Sequence, residues 1–345
     1  MSINLRQLAK LLELSPTTVS RALAGYSDVS NKTRRHVKEI ARKHKYFPNP
    51  VAQRLQKGKT EAIGIALSPG YNYFKDTFFI DLLSEISFSL SKIGYDLTIA
   101  IAPDSSKEIE SLKRMVQGKR VDGIILTMTK AKDNRISYLL DQNFPFVLYG
   151  RTEDPRPHSF VDMDGELAFR EACKLLIELG HKRIALINGE LEYMFPKFCL
   201  DGYKNGLKSA GINFDSKLVK EWKQNDEKLN SFQHTLALMK LPQPPTAILF
   251  YTEASQGILQ ALQQINLVVG KDISLIGYED LDIAKTSIPS LTTICPPMRE
   301  AAKKLVEMLM EKIDGNLQDG FEKIFKTKMI IRQSTNKVLT NIKIL

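Results

Sequence analysis

Most of the chain alternates short apolar runs with longer segments of helical periodicity. Beyond residue 60 the apolar runs are IGIAL at 63–67, DLTIAIA at 96–102, GIILT at 123–127 and PFVLY at 145–149, and then IALIN at 184–188, AILFY at 247–251 and SLIGY at 274–278. Helices are predicted near 77–93, 106–118, 134–142, 166–179, 198–210, 228–240 and 254–265. Strands that alternate with helices indicate parallel sheets with right-handed crossovers. The two series predict an α/β body of two doubly wound lobes.

The first sixty residues show a different pattern, that of short amphipathic helices. Apolar residues recur at helical spacing in NLRQLAKLL, PTTVSRALA and NKTRRHVKEIARKH. Ser15 is a natural N-cap, and Pro16 suits the first position of the second helix. Two short helices joined by a three-residue turn predict a helix-turn-helix, in which the start of the second helix meets base edges in the major groove.

This motif supplies candidate DNA contacts. Arg21 can bond guanine through two nitrogens, although a phosphate contact or a solvated arginine is the alternative. Ser30 and Thr33, at the start of the third helix, are candidates for phosphate contacts. The candidates for the second helix are Ser15, Pro16, Thr17, Thr18, Ser20 and Arg21.

Charge is concentrated in the same segment. Residues 1–60 hold 13 Lys and Arg against 3 Asp and Glu, whereas residues 61–345 hold 36 of each kind. A basic module on a neutral body suggests a partner rich in phosphates, with a solvated basic face as the plainer interpretation.

Other classes of protein are not supported by the sequence. No apolar run approaches the roughly 18 residues of a membrane helix, and the N-terminus lacks the apolar core of a secretion signal. The three cysteines suggest neither disulfides nor a zinc site. Nucleotide-loop and hydrolase motifs are missing. We therefore expect a cytoplasmic protein without cofactor, metal or catalytic activity.

A short linker segment follows the basic module. Pro48 and Pro50 end the preceding helix. PVAQRLQ then predicts a short helix that would be unstable alone in water and would form only against a partner. We expect a DNA-binding domain over 1–47, a hinge over 48–60 and a body over 61–345.

The segments TTVSRAL, GYSDVSNKTRRHV and YFPNPVAQRLQKGKT resemble the DNA-binding head and hinge of the lactose-repressor (LacI/GalR) family. The resemblance implies a transcriptional repressor that binds a palindromic operator as a homodimer. It also implies that Leu55 wedges into the minor groove, with packing between hinge helices as the alternative. Further contacts implied for this segment come from Tyr46, Asn49, Ala52 and Gln53.

The body continues the resemblance through ELGHKRIALING, PPTAILFYTE and ISLIGYEDLDIAKTSIPSLTTI. In the family the body resembles periplasmic sugar-binding proteins and holds a small effector, here expected to be a sugar, between two lobes. The implied crossings lie near 159–164, 290–295 and 326–333. The N-lobe would comprise about 61–160 plus 292–325, and the C-lobe about 161–291 plus 326–345.

Candidate effector residues follow the predicted strands, because ligands of open α/β sheets bind beyond the strand C-termini. The family often has Asp and Arg at the positions of Gly150 and Cys199, so this chain departs from the pattern there. Lys197 is a possible substitute, and Cys199 is expected to be a small buried residue. The candidates are Asp76, Phe78, Phe79, Arg151, Asp164, Lys197, Tyr251 and Glu279.

Four questions stay open on sequence alone. Phe79 suits the core as well as a pocket, and Trp222 suits either the cleft or a surface strand. Segments such as FFIDLL and VDMDGELAF favour a subgroup associated with glucoside-type sugars. The departures at Gly150 and Cys199 favour an alternative function, a regulator without a small-molecule effector that is constitutive or controlled by a protein.

Overall fold

A computed structural model describes residues 3–47, 58–69, 73, 76–221 and 227–338. The chain forms two compact units, which divide between Glu61 and Ala62. The predicted hinge helix, with Asn49, Ala52, Gln53 and Leu55, lies outside the described residues, as does Trp222.

The N-terminal unit contains the three predicted helices. They are α1 (Leu5–Leu11), α2 (Pro16–Ala24) and α3 (Asn31–Lys43). A capping box at Asn4 begins α1, and serines cap the other two helices. Gly25, with φ +82°, ends α2 in the left-handed conformation that glycine adopts without strain. The helices enclose a small core of Leu8, Ala9, Val19, Ala22, Val29, Val37 and Ala41.

The first sheet of the body has six parallel strands in the order β11-β5-β4-β3-β1-β2. Its strands are β1 (Ala62–Leu67), β2 (Asp96–Ile101), β3 (Gly123–Leu126), β4 (Phe146–Tyr149), β5 (Phe160–Met163) and, late in the chain, β11 (Glu322–Phe325). The helices of this lobe are α4 (Thr77–Ser91), α5 (Glu108–Val116), α6 (Asn134–Asp141) and α12 (Met298–Ile313).

Side chains of this sheet alternate between two helical layers. Ile63 and Ile65 of β1 pack in a core with α4 and α12, whereas Ala62 and Ala66 pack with α5 and α6. Both faces of the sheet are therefore covered, which explains the continuous apolar runs that predicted its strands.

The second sheet has the order β12-β10-β9-β8-β6-β7, with only β12 antiparallel to its neighbour. Its strands are β6 (Ile184–Asn188), β7 (Val219–Glu221), β8 (Ala247–Tyr251), β9 (Ser274–Tyr278), β10 (Thr292–Cys295) and β12 (Lys328–Ile330). Its helices are α7 (Gly165–Glu178), α8 (Met194–Ser209), α9 (Glu227–Met239), α10 (Ser255–Gln264) and α11 (Asp282–Thr286). This confirms the predicted doubly wound lobes.

Two of the expected lobe boundaries need correction. The boundary expected after residue 160 lies after Met163, because all of β5 pairs within the first sheet. The boundary expected after residue 291 lies after Cys295, because β10 pairs with β9 and β12 in the second sheet. The third crossing occupies the two residues between β11 and β12.

Among the described residues, no helix has the length and apolar character needed to cross a membrane.

Candidate functional site

The N-terminal unit presents the predicted DNA contacts around α2 and the start of α3. Pro16 and Thr17 are exposed, and Ser20 is half-buried. Ser15 accepts a hydrogen bond from the Thr18 amide at 3.0 Å, and Ser30 does the same for Thr33 at 3.1 Å. The hydroxyl groups within each pair are also 2.8 Å apart. The two serines thus cap their helices. A DNA contact through their hydroxyl groups would share oxygens that already accept hydrogen bonds from backbone amides.

Arg21 is already held by neighbours within this unit. Its Nη2 lies 2.6 Å from the Asp28 carboxylate, and its guanidinium stands over the Tyr26 ring, 5.1 Å from the centroid. Tyr46, another predicted contact, packs against the core of the unit, and burial raises the pKa of its hydroxyl. These contacts orient Arg21 and Tyr46 before any DNA is bound.

The body has a cleft where the carboxyl ends of the two sheets meet. Thr127 follows β3, Gly150 follows β4, Asp162 lies in β5, and Gly189 and Glu279 follow β6 and β9. Ligands of open α/β sheets bind at such strand ends.

Aromatic rings form much of the cleft wall. Tyr278 is the centre of one group: its ring centroid lies 5.1 Å from that of Phe195 and 5.7 Å from that of Tyr251. Burial raises the pKa of both the Tyr251 and the Tyr278 hydroxyls well above the usual value, so both remain protonated at neutral pH. The aromatic lining residues are Phe78, Phe79, Tyr149, Tyr193, Phe195, Tyr251 and Tyr278.

Carboxyl groups supply most of the charge in the cleft. Those in the lining are Asp76, Asp162, Glu190, Glu253 and Glu279. Burial raises the pKa of Glu279 well above its usual value, and the negative charge of Asp76 raises it further. No hydrogen-bond donor from the described residues is found at the Glu279 carboxyl group. A protonated Glu279 can both donate and accept a hydrogen bond toward a ligand hydroxyl.

The backbone of Glu279 adopts a left-handed conformation, with φ +82°. Its N–H donates to the carbonyl of Ile294 at 2.8 Å, and its own carbonyl accepts from the Thr252 hydroxyl at 2.6 Å. A residue other than glycine occupies this conformation at a cost in free energy, and these bonds hold it there. Such strain is common where a side chain is aimed into a binding site.

Asp162 is paired across the edge of the cleft with Arg151, whose Nε donates to it at 2.6 Å. The guanidinium of Arg151 also stacks 3.6 Å above the Phe198 ring, outside the cleft lining. Burial raises the pKa of Asp162, and the charge and hydrogen bond of Arg151 oppose that rise. Arg151 therefore supports a lining carboxylate from behind.

The structure explains both departures from the family pattern. Gly150 has φ +117°, and a Cβ there would lie 2.6 Å from the Thr129 hydroxyl oxygen, so aspartate would not fit. Cys199 is fully buried beneath the cleft, with Sγ 3.7 Å from the Tyr251 hydroxyl. It therefore supports the aromatic wall from below, as expected of a small buried residue.

The cleft brings together five of the eight effector candidates: Asp76, Phe78, Phe79, Tyr251 and Glu279. Phe79 is at once a core residue and a lining residue. Arg151, Asp164 and Lys197 are not in the lining. Asp164 caps α7 by accepting from the Leu167 amide at 2.9 Å, and Lys197 extends toward Glu153 at 3.9 Å. Arg151 and Lys197 thus pair with neighbouring carboxylates, and Asp164 caps a helix.

Several lining residues were missed. Thr127 and Tyr278 belonged to apolar runs that predicted strands, so their position at a strand end carried no separate signal. Phe195 and Tyr193 precede or begin α8, which starts four residues earlier than expected.

The two lobes are also bonded directly beside the cleft. The Met194 amide donates to the Thr129 carbonyl at 2.9 Å, and Lys130 forms an ion pair with Glu192. Lys130 and Tyr193 form an antiparallel bridge. In this structure the cleft is therefore closed on the side of β3.

A helix-turn-helix unit together with a two-lobed body and a central cleft defines the class of DNA-binding regulators with an effector domain. Residues 4–49 match the family of bacterial regulatory proteins, lacI family, and residues 173–335 match the periplasmic binding protein-like domain. The regulator AglR of Rhizobium meliloti is 36% identical, with 97% of this chain and 95% of AglR covered. The chain belongs to the LacI family of transcriptional regulators.

Two solved structures resemble the chain over nearly its full length. The lac repressor dimer bound to operator and the anti-inducer ONPF gives a TM-score of 0.86 at 25% identity, covering 97% of this chain and 100% of the repressor. The complex of the regulator CelR with cellobiose gives a TM-score of 0.74 at 25% identity, covering 96% and 99%.

Proposed function

We propose that this protein is a repressor that binds a palindromic operator as a homodimer. In this proposal a sugar in the cleft lowers or raises its affinity for the operator. Membership of the family and the helix-turn-helix support the DNA-binding part. The aromatic and carboxyl lining of the cleft supports the sugar. In this proposal the protein acts in the cytoplasm, where the operator is, and leaves the sugar chemically unchanged.

The observation that carries the proposed effector class is the lining itself. Aromatic rings can cover the apolar faces of a sugar ring, and carboxyl and phenol groups bond its hydroxyls. Among the described lining residues none is Lys or Arg. A buried anion is costly without a cationic partner. The expected effector is therefore an uncharged sugar, and sugar phosphates and uronates are expected to bind weakly.

Similar proteins favour the same class of ligand. The CelR structure contains cellobiose, an uncharged disaccharide.

The proposal is tested by thermal unfolding of the full chain with neutral mono- and disaccharides and with glucose 6-phosphate and galacturonate. A sugar at 100 times its Kd stabilises the protein by about 2.7 kcal/mol. We expect a neutral sugar to raise the unfolding temperature and the charged sugars to leave it unchanged. If no sugar stabilises the protein while operator binding persists, the alternative of a regulator without a small-molecule effector is favoured.

A further inference from the structure

The turn between α2 and α3 places an acidic residue against the arginine that is expected to read bases. Gly25 begins this turn, and the Arg34 side chain donates to the Gly25 carbonyl at 2.8 Å. Val29 is buried in the core of the unit. Asp28 stands between these two fixed points, so its carboxylate is held beside α2.

The guanidinium of Arg21 is oriented from two sides. Nη2 lies 2.6 Å from the Asp28 carboxylate, and the Tyr26 ring supports the flat face. Nε is buried, with no hydrogen-bond partner in the described part of the chain. About half of each side chain of the Arg21–Asp28 pair is exposed, so the ion pair itself adds little to stability.

Orientation is the remaining consequence of this pair. A guanidinium has five N–H donors, and Asp28 needs only one of them, which leaves enough for a bidentate bond to guanine. A long arginine side chain otherwise loses rotamer freedom when it binds a base. The Asp28 carboxylate also repels phosphates, which weakens binding to DNA of any sequence.

We propose that Asp28 is a positioning residue for sequence recognition. It orients the Arg21 guanidinium toward one base pair and disfavours contact of Arg21 with the phosphate backbone. This inference rests on the proposed function, because it requires that Arg21 contact a base. The turn after α2 then contributes to sequence specificity, although it lies outside the helix that is expected to contact the bases.

The test is selection of duplexes from a randomised pool by the full-length protein, followed by sequencing. Arg21→Ala identifies the base position that Arg21 reads, as the position where preference disappears. We expect Asp28→Asn to reduce the preference at that same position by about fivefold or more, and to leave the other positions unchanged. Retained preferences elsewhere also show that the head of this variant is folded. Glu39→Gln removes the same charge from an exposed position of α3 and should leave every preference intact.

The outcomes separate the two proposals. If Asp28→Asn keeps full preference at the base position that Arg21 reads, the positioning role of Asp28 is wrong. The base contact of Arg21 is unaffected by that result. An unchanged motif in Arg21→Ala overturns the base contact and the inference with it. A wild-type protein that enriches no motif contradicts the proposed function itself. Loss of preference in Glu39→Gln equal to that in Asp28→Asn would show a general effect of charge and would also overturn the positioning role.

Discussion

Gly150 and Thr129 fit together only because position 150 has no side chain. The Thr129 hydroxyl donates to the Arg151 carbonyl at 2.6 Å, and the Gly150 amide donates to Val161 at 2.8 Å. The first bond joins the loops that follow β3 and β4 at the edge of the cleft, and the second joins Gly150 to β5. A Cβ at position 150 would intrude on the Thr129 oxygen in a backbone conformation that side chains rarely adopt.

We expect Gly150→Ala to lower the free energy of unfolding of the body by about 2–4 kcal/mol, the sum of backbone strain and steric overlap. Gly94→Ala is the matched control, since Gly94 also has a positive φ but a Cβ there would meet no atom within 4 Å. It should cost about 1–2 kcal/mol. Urea denaturation measures both. Equal losses would mean that the contact with Thr129 costs nothing.

The Glu279 carboxyl makes stability depend on pH. Its pKa is raised in the folded protein by burial and by Asp76, so its contribution is present at low pH and lost as the pH rises above its ordinary value of 4.5. Asp162, whose pKa is also raised, acts in the same direction from 3.8 upward. We expect Glu279→Gln to flatten the fall of unfolding temperature between pH 5 and pH 8.

Glu300→Gln, an exposed position on α12, serves as the control for the removal of one carboxylate. It should leave the pH profile of the wild type unchanged. A Glu279→Gln protein that keeps the full pH dependence would show that this carboxyl does not titrate in the range measured.

Arg151 and Asp162 should be energetically coupled. Arg151→Met leaves the Asp162 carboxylate buried without its cation, at a cost of about 1–3 kcal/mol. Arg151→Met combined with Asp162→Asn should recover part of that loss. A double-mutant cycle in urea gives the coupling free energy directly. Additive effects of the two substitutions would contradict the support that we assign to Arg151.

Leu55→Ala is expected to weaken operator binding by about tenfold or more, because an apolar wedge that kinks DNA would be lost. Unfolding of the body should be unchanged, since the described cores of its two lobes are built from residues from Ala62 onward. Fluorescence anisotropy with the selected operator measures the affinity, and Gln56→Ala is the control. Unaltered binding would mean that Leu55 only packs between hinge helices.

Effector and operator should affect each other by the same factor. If a sugar weakens operator binding, the operator must weaken sugar binding equally, because both are linked through one conformational equilibrium. Titrations of operator with and without a sugar known to bind, and of sugar with and without operator, test this. Identical operator affinities with and without the sugar would favour a regulator that needs no effector.

The sequence predicted the strands that are covered on both faces, such as Ile184–Asn188 and Ser274–Tyr278, because continuous apolar runs mark them. It did not identify Glu322–Phe325 or Lys328–Ile330, which are short, half-polar strands at sheet edges. Their pairing depends on neighbours more than a hundred residues away for β11 and over thirty for β12. Local periodicity in the sequence therefore does not predict this strand pairing.

The same limit applies to the cleft. The predicted strand ends pointed to Asp76, Tyr251 and Glu279, which all line the cleft, because parallel strands finish on one side of their sheet. Arg151 and Lys197 were predicted to line the pocket from their charge and position. Arg151 instead pairs with the lining carboxylate of Asp162 from outside the lining, and Lys197 extends toward Glu153. Sequence spacing predicts where the backbone of a residue lies, whereas the partners of its side chain determine the direction of that side chain.

The late position of β11 has a consequence for synthesis of the protein on the ribosome. The first sheet gains its edge strand only at residues 322–325, and its core includes α12 at 298–313. The lobe that begins at residue 62 therefore stays incomplete until residue 325 has been translated. The helix-turn-helix unit, made first, has all of its core residues from the start. During translation the DNA-binding unit is thus complete well before the lobe that would regulate it.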